Sequence, residues 1–465
     1  MLKIQEKRSN TFFAILALPA TAMGFALSTQ IAALSWILTT KYGLAVHDIG
    51  LVWAAGPIAG IFGQVIIGAW SDRVWLWRGR RRPFIVVGGT IAALALLALP
   101  NIDVISSALG FEGILGVALV VVLSLDFAIN VGFNPTRAVI ADVTPEGVDR
   151  TKGFTWMQTI SGSFAVGAYA IGAFLDNYVL IYVAVALALL FSIVPTLFIE
   201  EPKTLAPAEG EESPDKTSLL GMLQVIQPLW GFLIYDIYAM SLRILGIEHQ
   251  HYYAEMICGA LTILLVIKSL LANSSGQYAG FRKVLAAHSF SWIGIHTTFV
   301  FLVIYLQGAM PELGDIKMGQ TTSMSFLILS VVSAVLPVFV LEPLTERIGR
   351  VKTHAGCLAI MTLGYIGLYF QGSTLPMLYT LMAVIGVGWA SIISLPFAIM
   401  SQQAEKSEMG LFMGLFNLSV VLPQLVVSLG ISLAVSRAQD MRIIFVISAV
   451  ALALSTVSWM RVHED

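Results

Sequence analysis

Long apolar segments recur along this 465-residue chain, and they constrain its fold more than any other feature. A helix that crosses about 30 Å of hydrocarbon needs about 20 apolar residues, and it must satisfy its own backbone hydrogen bonds. Only 12% of the residues are charged, whereas soluble domains carry about 25%. The sequence therefore predicts an all-α, multi-pass membrane protein. The formal net charge of -2 gives no reason to expect a nucleic-acid partner.

Twelve of these segments fall into two groups of six. They lie near 12–38, 47–70, 84–101, 112–136, 154–175 and 178–198, and then near 286–309, 321–343, 354–371, 375–400, 410–435 and 441–460. We therefore expect three regions: an N-terminal six-helix half (1–198), a central connector (199–285) and a C-terminal six-helix half (286–465).

The central connector contains two further apolar segments. A polar stretch rich in Pro, Glu and Ser covers 199–217, and the apolar segments lie near 222–245 and 253–272. They form either an extra transmembrane hairpin or amphipathic helices at the interface. Their length slightly favours true spans, which leaves the total at twelve or fourteen.

Positive charge alternates between the loops. The N-terminus and the loops after spans two, four and eight are rich in Lys and Arg, whereas 102–111 and 372–374 contain none. Because cytoplasmic loops carry the excess of Lys and Arg, both termini are expected in the cytoplasm.

A short motif repeats after the second span of each half. Residues 71–73 (Ser-Asp-Arg) precede Gly-Arg-Arg-Arg-Pro at 79–83, and 346–352 reads Glu-Arg-Ile-Gly-Arg-Val-Lys. This resembles the loop signature of the major facilitator superfamily, which is built from two six-helix halves. The acids and arginines are expected to pair as a cytoplasmic gate; alternatively, they are only positive-inside anchors. The candidate gate residues are Asp72, Arg73, Arg80, Arg81, Asp142, Glu346, Arg347 and Arg350.

An acid lies deep in the fourth span. A charged side chain at mid-bilayer costs roughly 2.5–3.5 kcal/mol on insertion scales, so it is a functional candidate. Asp126, Asn130, Asn134 and Arg137 fall on one helical stripe, which leads from the buried acid toward the cytoplasmic end. The alternatives are a structural acid bonded to a neighbouring helix and, for Arg137, a snorkelling anchor.

Other polar residues interrupt spans one, four, seven and eleven. Amide and hydroxyl groups beside an indole suit a sugar, although helix packing and aromatic belts explain the same residues. The candidates for substrate binding are Gln30, Asn130, Trp292, His296, Asn417 and Gln424, with His47 at the entrance. No nucleophile elbow, metal cluster or phosphate loop is evident, so neither an enzyme, a metal site nor an organic cofactor is expected.

Several stretches together resemble a known family. They are Gly24–Leu27, Trp53–Gly60, Ser71–Arg73 with Gly79–Pro83, Asp126 to Arg137, Ser394–Ala398, and Asn417 with Pro423 and Gln424. In order through both halves, they are similar to plant sucrose–proton symporters and their relatives in the glycoside–pentoside–hexuronide:cation symporter group. The 219–283 segment departs from the plant pattern and suggests a bacterial relative.

The resemblance implies proton-coupled uptake of a disaccharide, sucrose or maltose. It implies that Asp126 carries the proton, that Arg137 is needed for coupling, and that His47, one residue out of register, controls substrate access. We expect a monomer in the bacterial inner membrane, in contact with lipid. The alternatives are a sugar sensor or assembly factor on the same scaffold, or a sodium-coupled transporter of another glycoside. Sodium would favour a second carboxylate near Asp126, and the neighbouring sequence of that span offers none.

Overall fold

The structure is a computed structural model that describes residues 3–61, 74–111, 113–145, 147–202, 219–247, 252–272, 278–403 and 409–463. Every regular element in these ranges is a helix, which confirms the predicted all-α fold class. The α-helices are α1 (Lys3–Glu6), α2 (Asn10–Thr40), α3 (Val46–Trp53), α4 (Arg82–Ala98), α5 (Ile102–Ala108), α6 (Leu115–Val143), α7 (Val148–Phe174), α8 (Asn177–Leu197), α9 (Leu219–Val225), α10 (Trp230–Ile244), α11 (Tyr253–Leu271), α12 (Ala279–Ala309), α13 (Asp315–Leu336), α14 (Glu342–Ile348), α15 (Arg350–Gln371), α16 (Leu375–Ile392), α17 (Leu395–Gln403), α18 (Met409–Val426), α19 (Ser432–Ser436) and α20 (Ile443–Trp459). Short 3-10 helices cover Leu99–Asn101 and Gln227–Leu229, and π-helical turns cover Pro337–Leu341 and Val427–Ile431.

Local hydrogen bonds explain how these helices begin and why they tolerate polar residues. Ser9 caps α2 by accepting from the Phe12 amide at 3.3 Å, and Asp176 caps α8 by accepting from the Val179 amide at 2.7 Å. Inside the helices, hydroxyls such as that of Thr29 bond to the carbonyl four residues earlier. A hydroxyl satisfied in this way can remain in an apolar surrounding.

Ten helical segments within the described ranges are long and apolar enough to cross a bilayer. Two shorter apolar helices, Val46–Ile61 and Ile443–Trp459, correspond to the second and last predicted spans. The remainder of the predicted span 47–70 lies outside the described residues. Helix α7 covers the predicted span 154–175, but its Gln, Thr, Ser and Gly residues keep its hydropathy below that of the ten.

The chain divides into two compact units. Unit 1 contains Met1–Leu44, Ala55–Glu209 and Leu313–Leu327, and unit 2 contains Ala45–Ala54, Gly210–Glu312 and Ile328–Asp465. Neither unit is continuous in sequence. The predicted boundaries at 198/199 and 285/286 stay predictions.

In unit 1, α2 packs against α7 and α8, while α4 packs against α6 and α8. Small residues let these helices approach closely: a Cβ at Gly88 would lie 3.2 Å from the Ala128 carbonyl oxygen, and one at Gly89 would overlap Ser192. Such contacts replace hydrophobic driving force between membrane helices. They hold α6, which carries Asp126, against its neighbours.

In unit 2, α12 packs against α20 and α18, and α15 packs against α16 and α20. The two central helices predicted from 222–245 and 253–272 are present as α10 and α11, which pack against each other. Gly231 of α10 lies close to Thr262 of α11, and Tyr235 lies against Gly430 beyond α18. This confirms the extra helical hairpin and places it beside α18. Of its two helices, α11 is among the ten segments that are long and apolar enough to cross a bilayer.

Candidate functional site

A buried acid–amide pair lies within unit 1. Asp126 is 5% exposed on α6, and Gln30 is 1% exposed on α2. The Gln30 Nε2 donates to both Asp126 carboxylate oxygens at 3.0 Å. Sequence reasoning selected both residues, but for different roles. The structure brings them together as one polar group inside the helix bundle.

One hydrogen-bond acceptor of this pair has no donor among the described residues. The Gln30 Oε1 is buried and accepts no hydrogen bond from the described part of the chain. A buried acceptor without a donor costs about 1–3 kcal/mol. The site can therefore accept one more donor, either from a ligand or from the acid itself.

Glycine 56 closes the space next to the acid. A Cβ at this position would lie 3.3 Å from Asp126 Oδ1, which is tighter than an ordinary van der Waals contact. Because glycine has no side chain, the backbone of the second span lies directly against the carboxyl group without displacing it. The pair is thus held between α2, α6 and the segment around Gly56.

The predicted polar stripe becomes more exposed away from the acid. Asn130 and Asn134 are half-buried, and Arg137 is exposed. Asn130 Nδ2 donates to the Asp126 backbone carbonyl at 2.9 Å. The Arg137 guanidinium lies 5.5 Å from the centre of the Phe133 ring and forms no ion pair with a described residue. The stripe is present as predicted, while its role in coupling stays a prediction.

Two of the candidate gate residues form a buried ion pair. Arg81 Nε donates to Asp142 Oδ2 at 2.9 Å, and each side chain is 8% exposed. The pair joins the start of α4 to the end of α6, both in unit 1. Asp72 and Arg73 lie outside the described residues. Whether the pair acts as a gate stays a prediction.

A third participant, Glu201, was not selected from the sequence. Its carboxylate accepts three backbone N–H groups: those of Arg80 at 2.6 Å, Arg81 at 2.7 Å and Arg82 at 2.8 Å. The exposed N–H groups at a helix start attract an anion. Glu201 belongs to the polar stretch of the central connector, so no local sequence pattern distinguished it.

This carboxylate provides a test of the loop's architecture. Glu201→Gln removes the charge and turns an –NH₂ group toward at least one backbone donor. We expect a loss of about 1–3 kcal/mol in stability, visible as a lower thermal unfolding midpoint in detergent. The exposed Glu312→Gln is the matched control and should change little. Equal midpoints for both variants would show that the cap contributes nothing.

The second copy of the motif differs from the first. Glu346 and Arg347 are exposed and Arg350 is half-buried. Gly349 separates α14 from α15 with a φ of +88°, a conformation that glycine adopts without strain. The second copy of the motif therefore forms a turn between α14 and α15. No ion pair equivalent to that of Arg81 and Asp142 involves Glu346 or Arg347 among the described residues.

In unit 2, histidines and tryptophans pack together. Trp292 Nε1 donates to His288 Nε2 at 2.9 Å, and its ring meets that of Trp389 edge-on at 5.9 Å. His296 is 4% exposed and lies edge-on to Trp53 at 5.6 Å. The sequence indicated Trp292 and His296, but not His288, because a histidine one turn earlier carries no signal of its own.

The remaining predicted residues form no hydrogen bond with this cluster among the described residues. Asn417 and Gln424 are half-buried on α18, and neither hydrogen bonds to a described residue. His47 Nε2 lies 3.1 Å from Asp48 Oδ1 at the start of α3. Their roles in binding and access stay predictions.

Comparison with known proteins decides the family. The sequence profile of the Major Facilitator Superfamily matches residues 16–309, more than half of the chain. The chain belongs to the Major Facilitator Superfamily. It is therefore an integral, multi-pass membrane transporter and not an enzyme.

Within the Major Facilitator Superfamily, the chain is similar to sucrose transport proteins, as the sequence motifs indicated. A sucrose transport protein of Arabidopsis thaliana is 25% identical, covering 86% of this chain and 80% of the relative. A second, from Oryza sativa subsp. japonica, is also 25% identical, covering 86% and 78%. Proton-associated sugar transporter A of Mus musculus is 36% identical over 138 residues, which is 28% of this chain and 18% of the relative.

Solved structures support the same fold. The nucleoside transporter NupG aligns with a TM-score of 0.63 at 13% identity, covering 98% of this chain and 100% of NupG. The peptide transporter PepTSo aligns with a TM-score of 0.66 at 13% identity, covering 97% and 98%. At this identity the likeness concerns the fold alone.

Proposed function

We propose that the protein is a proton-coupled disaccharide symporter that takes up sucrose or maltose by alternating access. The similarity to sucrose transport proteins over most of the chain supports the substrate class. One observation carries the coupling: a buried carboxyl whose side-chain hydrogen-bond partner is the neutral amide of Gln30.

Protonation suits this pair. An ionised carboxylate in a low-dielectric interior with only a neutral partner is costly. When Asp126 is neutral, its O–H can donate to Gln30 Oε1 after the amide rotates, while the amide N–H still donates to the other carboxyl oxygen. Both buried acceptors are then satisfied. The proton thus converts an incomplete pair into a complete one.

This exchange supplies a reason for strict coupling. The neutral, fully hydrogen-bonded pair can remain buried at a low free-energy cost while the transporter changes conformation, whereas the ionised pair needs water. Access of water on the inner side releases the proton, assisted by the positive field of Arg137. At 1.5 Å per residue, the eleven-residue step from Asp126 to Arg137 spans about 16 Å of straight helix, so the arginine acts through its field and not by direct contact.

The sugar requires groups of two kinds. A disaccharide presents hydroxyls to amides and apolar ring faces to aromatic planes. In unit 1, Gln30 and Asn130 are the amides near the acid. In unit 2, Trp292, His296, Asn417 and Gln424 supply the equivalent chemistry. We propose that these residues contact the sugar and that His47 lies on its route of entry.

The cellular setting belongs to the same proposal. The excess of Lys and Arg in alternate loops supports a cytoplasmic location for both termini. The protein then works as a monomer in the bacterial inner membrane, and the proton moves inward with the sugar.

Uptake into proteoliposomes tests the function. Labelled sucrose, maltose and trehalose are offered with and without an imposed inward pH gradient. We expect accumulation of one disaccharide only when the lumen is alkaline. Accumulation that needs a sodium gradient would replace the proton by sodium, and specific sugar binding without uptake under any gradient would indicate a sensor.

The close approach of Gly56 gives a local test of the proton site. Gly56→Ala places a methyl group 3.3 Å from Asp126 Oδ1, so the carboxyl must shift by a few tenths of an ångström. We expect slower pH-driven uptake with a stability loss of about 1 kcal/mol. Gly162→Ala is the control, since nothing lies within 4 Å of its Cβ. Identical uptake by both variants would contradict the proposed tight fit.

A further inference from the structure

The extra helical hairpin forms one wall of a cavity in unit 2. The cavity has a volume of about 410 Å³ and lies where α10 ends, α3 begins and α19 ends. Its lining includes His47, Tyr235, Arg243, Leu429, Leu433 and Arg437. The central segment, which the transport proposal leaves without a role, thus encloses a space with the rest of unit 2.

Positive groups dominate the polar part of this lining. Arg243 and Arg437 both face the cavity, and the Arg437 guanidinium lies 5.1 Å from the centre of the Tyr252 ring. Two acids beside the lining contact other groups, whereas Asp236, next to Tyr235, is buried and its carboxylate has no hydrogen-bond partner among the described residues. Asp48 lies against His47 at 3.1 Å, and Glu255 accepts from the Tyr235 hydroxyl at 3.1 Å. Two guanidinium groups converging on one cavity favour an anion, and their forked geometry suits a phosphate.

The surface beside the cavity is apolar and outward-facing. Ile244 and Leu245 at the end of α10 are 79% and 69% exposed, and Met256 at the start of α11 is 68% exposed. Leu429 and Leu433 add apolar side chains to the cavity lining. In a membrane protein such side chains face lipid tails. An anion with an attached apolar chain therefore fits better than a small soluble anion.

We propose that this cavity binds the phosphate headgroup of an anionic phospholipid, with the guanidinium groups of Arg243 and Arg437 on the phosphate and an acyl chain along the exposed end of α10. The bound lipid joins the hairpin to α3 and α19. The hairpin is thereby given a function: it completes a lipid site that the remainder of unit 2 cannot form alone.

The thermal unfolding midpoint of the full chain in detergent tests the proposal, with phosphatidylglycerol, phosphatidylcholine or inorganic phosphate added. We expect phosphatidylglycerol to raise the midpoint by about 3 °C and the other two to have little effect. Arg243→Gln with Arg437→Gln should abolish the rise. Each arginine is expected to contribute about fivefold in lipid affinity, so the double variant loses roughly 25-fold.

Arg442→Gln is the matched control because Arg442 follows Arg437 closely, is exposed, and pairs with Asp440 at 2.7 Å outside the cavity. This variant removes one positive charge near the same end of unit 2 and should keep the full response. An equal rise with phosphatidylcholine, a rise with inorganic phosphate alone, or an unchanged response in the double variant would each overturn the proposal.

Native mass spectrometry of the unmodified protein gives a second measurement that does not depend on how the variants fold. With equal amounts of both lipids, we expect about tenfold preferential retention of phosphatidylglycerol. Equal retention of the two lipids would also overturn the proposal.

Discussion

Asp126→Asn is expected to abolish accumulation of sugar driven by a pH gradient. Each unit of pH difference supplies about 1.4 kcal/mol per proton, enough for roughly tenfold accumulation by a one-to-one symporter. Asparagine has nearly the same shape as the neutral acid but cannot bind or release a proton. The variant should therefore fold, and it should equilibrate sugar to a concentration ratio of about one, as expected for an uncoupled carrier.

The amide substitution also keeps much of the local hydrogen bonding. Gln30 bonds to both oxygens of Asp126 at 3.0 Å, and an asparagine at 126 can exchange one donor and one acceptor with it. If the variant loses coupling but still exchanges sugar, the loss is due to the missing proton and not to a disrupted site structure. Asp440→Asn, at an exposed position, is the control and should accumulate sugar normally. If Asp126→Asn still concentrates sugar, the acid is not the proton carrier.

Breaking the buried pair of Arg81 and Asp142 should have the second largest effect. Replacing Arg81 removes the ion-pair partner of the Asp142 carboxylate, whose side chain is 8% exposed, at a cost of about 3–5 kcal/mol. Arg81→Gln or Asp142→Asn should lower the thermal unfolding midpoint strongly. The double variant should recover part of the loss, because no lone charge remains.

An exposed pair in the same unit provides the comparison. Arg8 and Asp149 lie 2.7 Å apart, and their side chains are 46% and 32% exposed. Exposed pairs contribute less than about 1 kcal/mol, so Arg8→Gln with Asp149→Asn should leave the midpoint almost unchanged. Similar losses for the two pairs, or no recovery in the Arg81 and Asp142 double variant, would refute the electrostatic explanation.

The sequence was sufficient to predict the helices and the buried acid. The cost of placing a charge among lipid tails makes an acid such as Asp126 conspicuous in an apolar run. Gln30 is conspicuous for a different reason, since a polar amide has no packing advantage in a span. The central helices were predictable as apolar segments, and the structure has a helix in each; α10 has 15 residues, whereas α11 is long and apolar enough to cross a bilayer.

The pairing of residues was not predictable from the chain alone. Gln30 and Asp126 are 96 residues apart, and no local pattern relates a residue on the first span to one on the fourth. Packing of α2 against α6 brings them together. Similarly, the Arg81 partner could have been any of several acids near the loop until the end of α6 was placed.

Glu201 and His288 show a different limit. Glu201 lies in a stretch whose composition indicates a connector, and only the backbone of Arg80, Arg81 and Arg82 gives it a role. His288 is buried, and its ring stacks on Phe416 at 4.8 Å. A titratable residue whose partners come from distant helices is identified by its surroundings and not by its neighbours in sequence.

Sugar-triggered proton movement tests the central claim most directly. Proteoliposomes loaded with a pH-sensitive dye are given the transported disaccharide with no other gradient imposed. The proposal predicts that the lumen acidifies on addition of sugar, and that Asp126→Asn liposomes show no acidification while still exchanging labelled sugar. Sugar entry without acidification in the unmodified protein, or unchanged acidification in the variant, would contradict coupling through this acid.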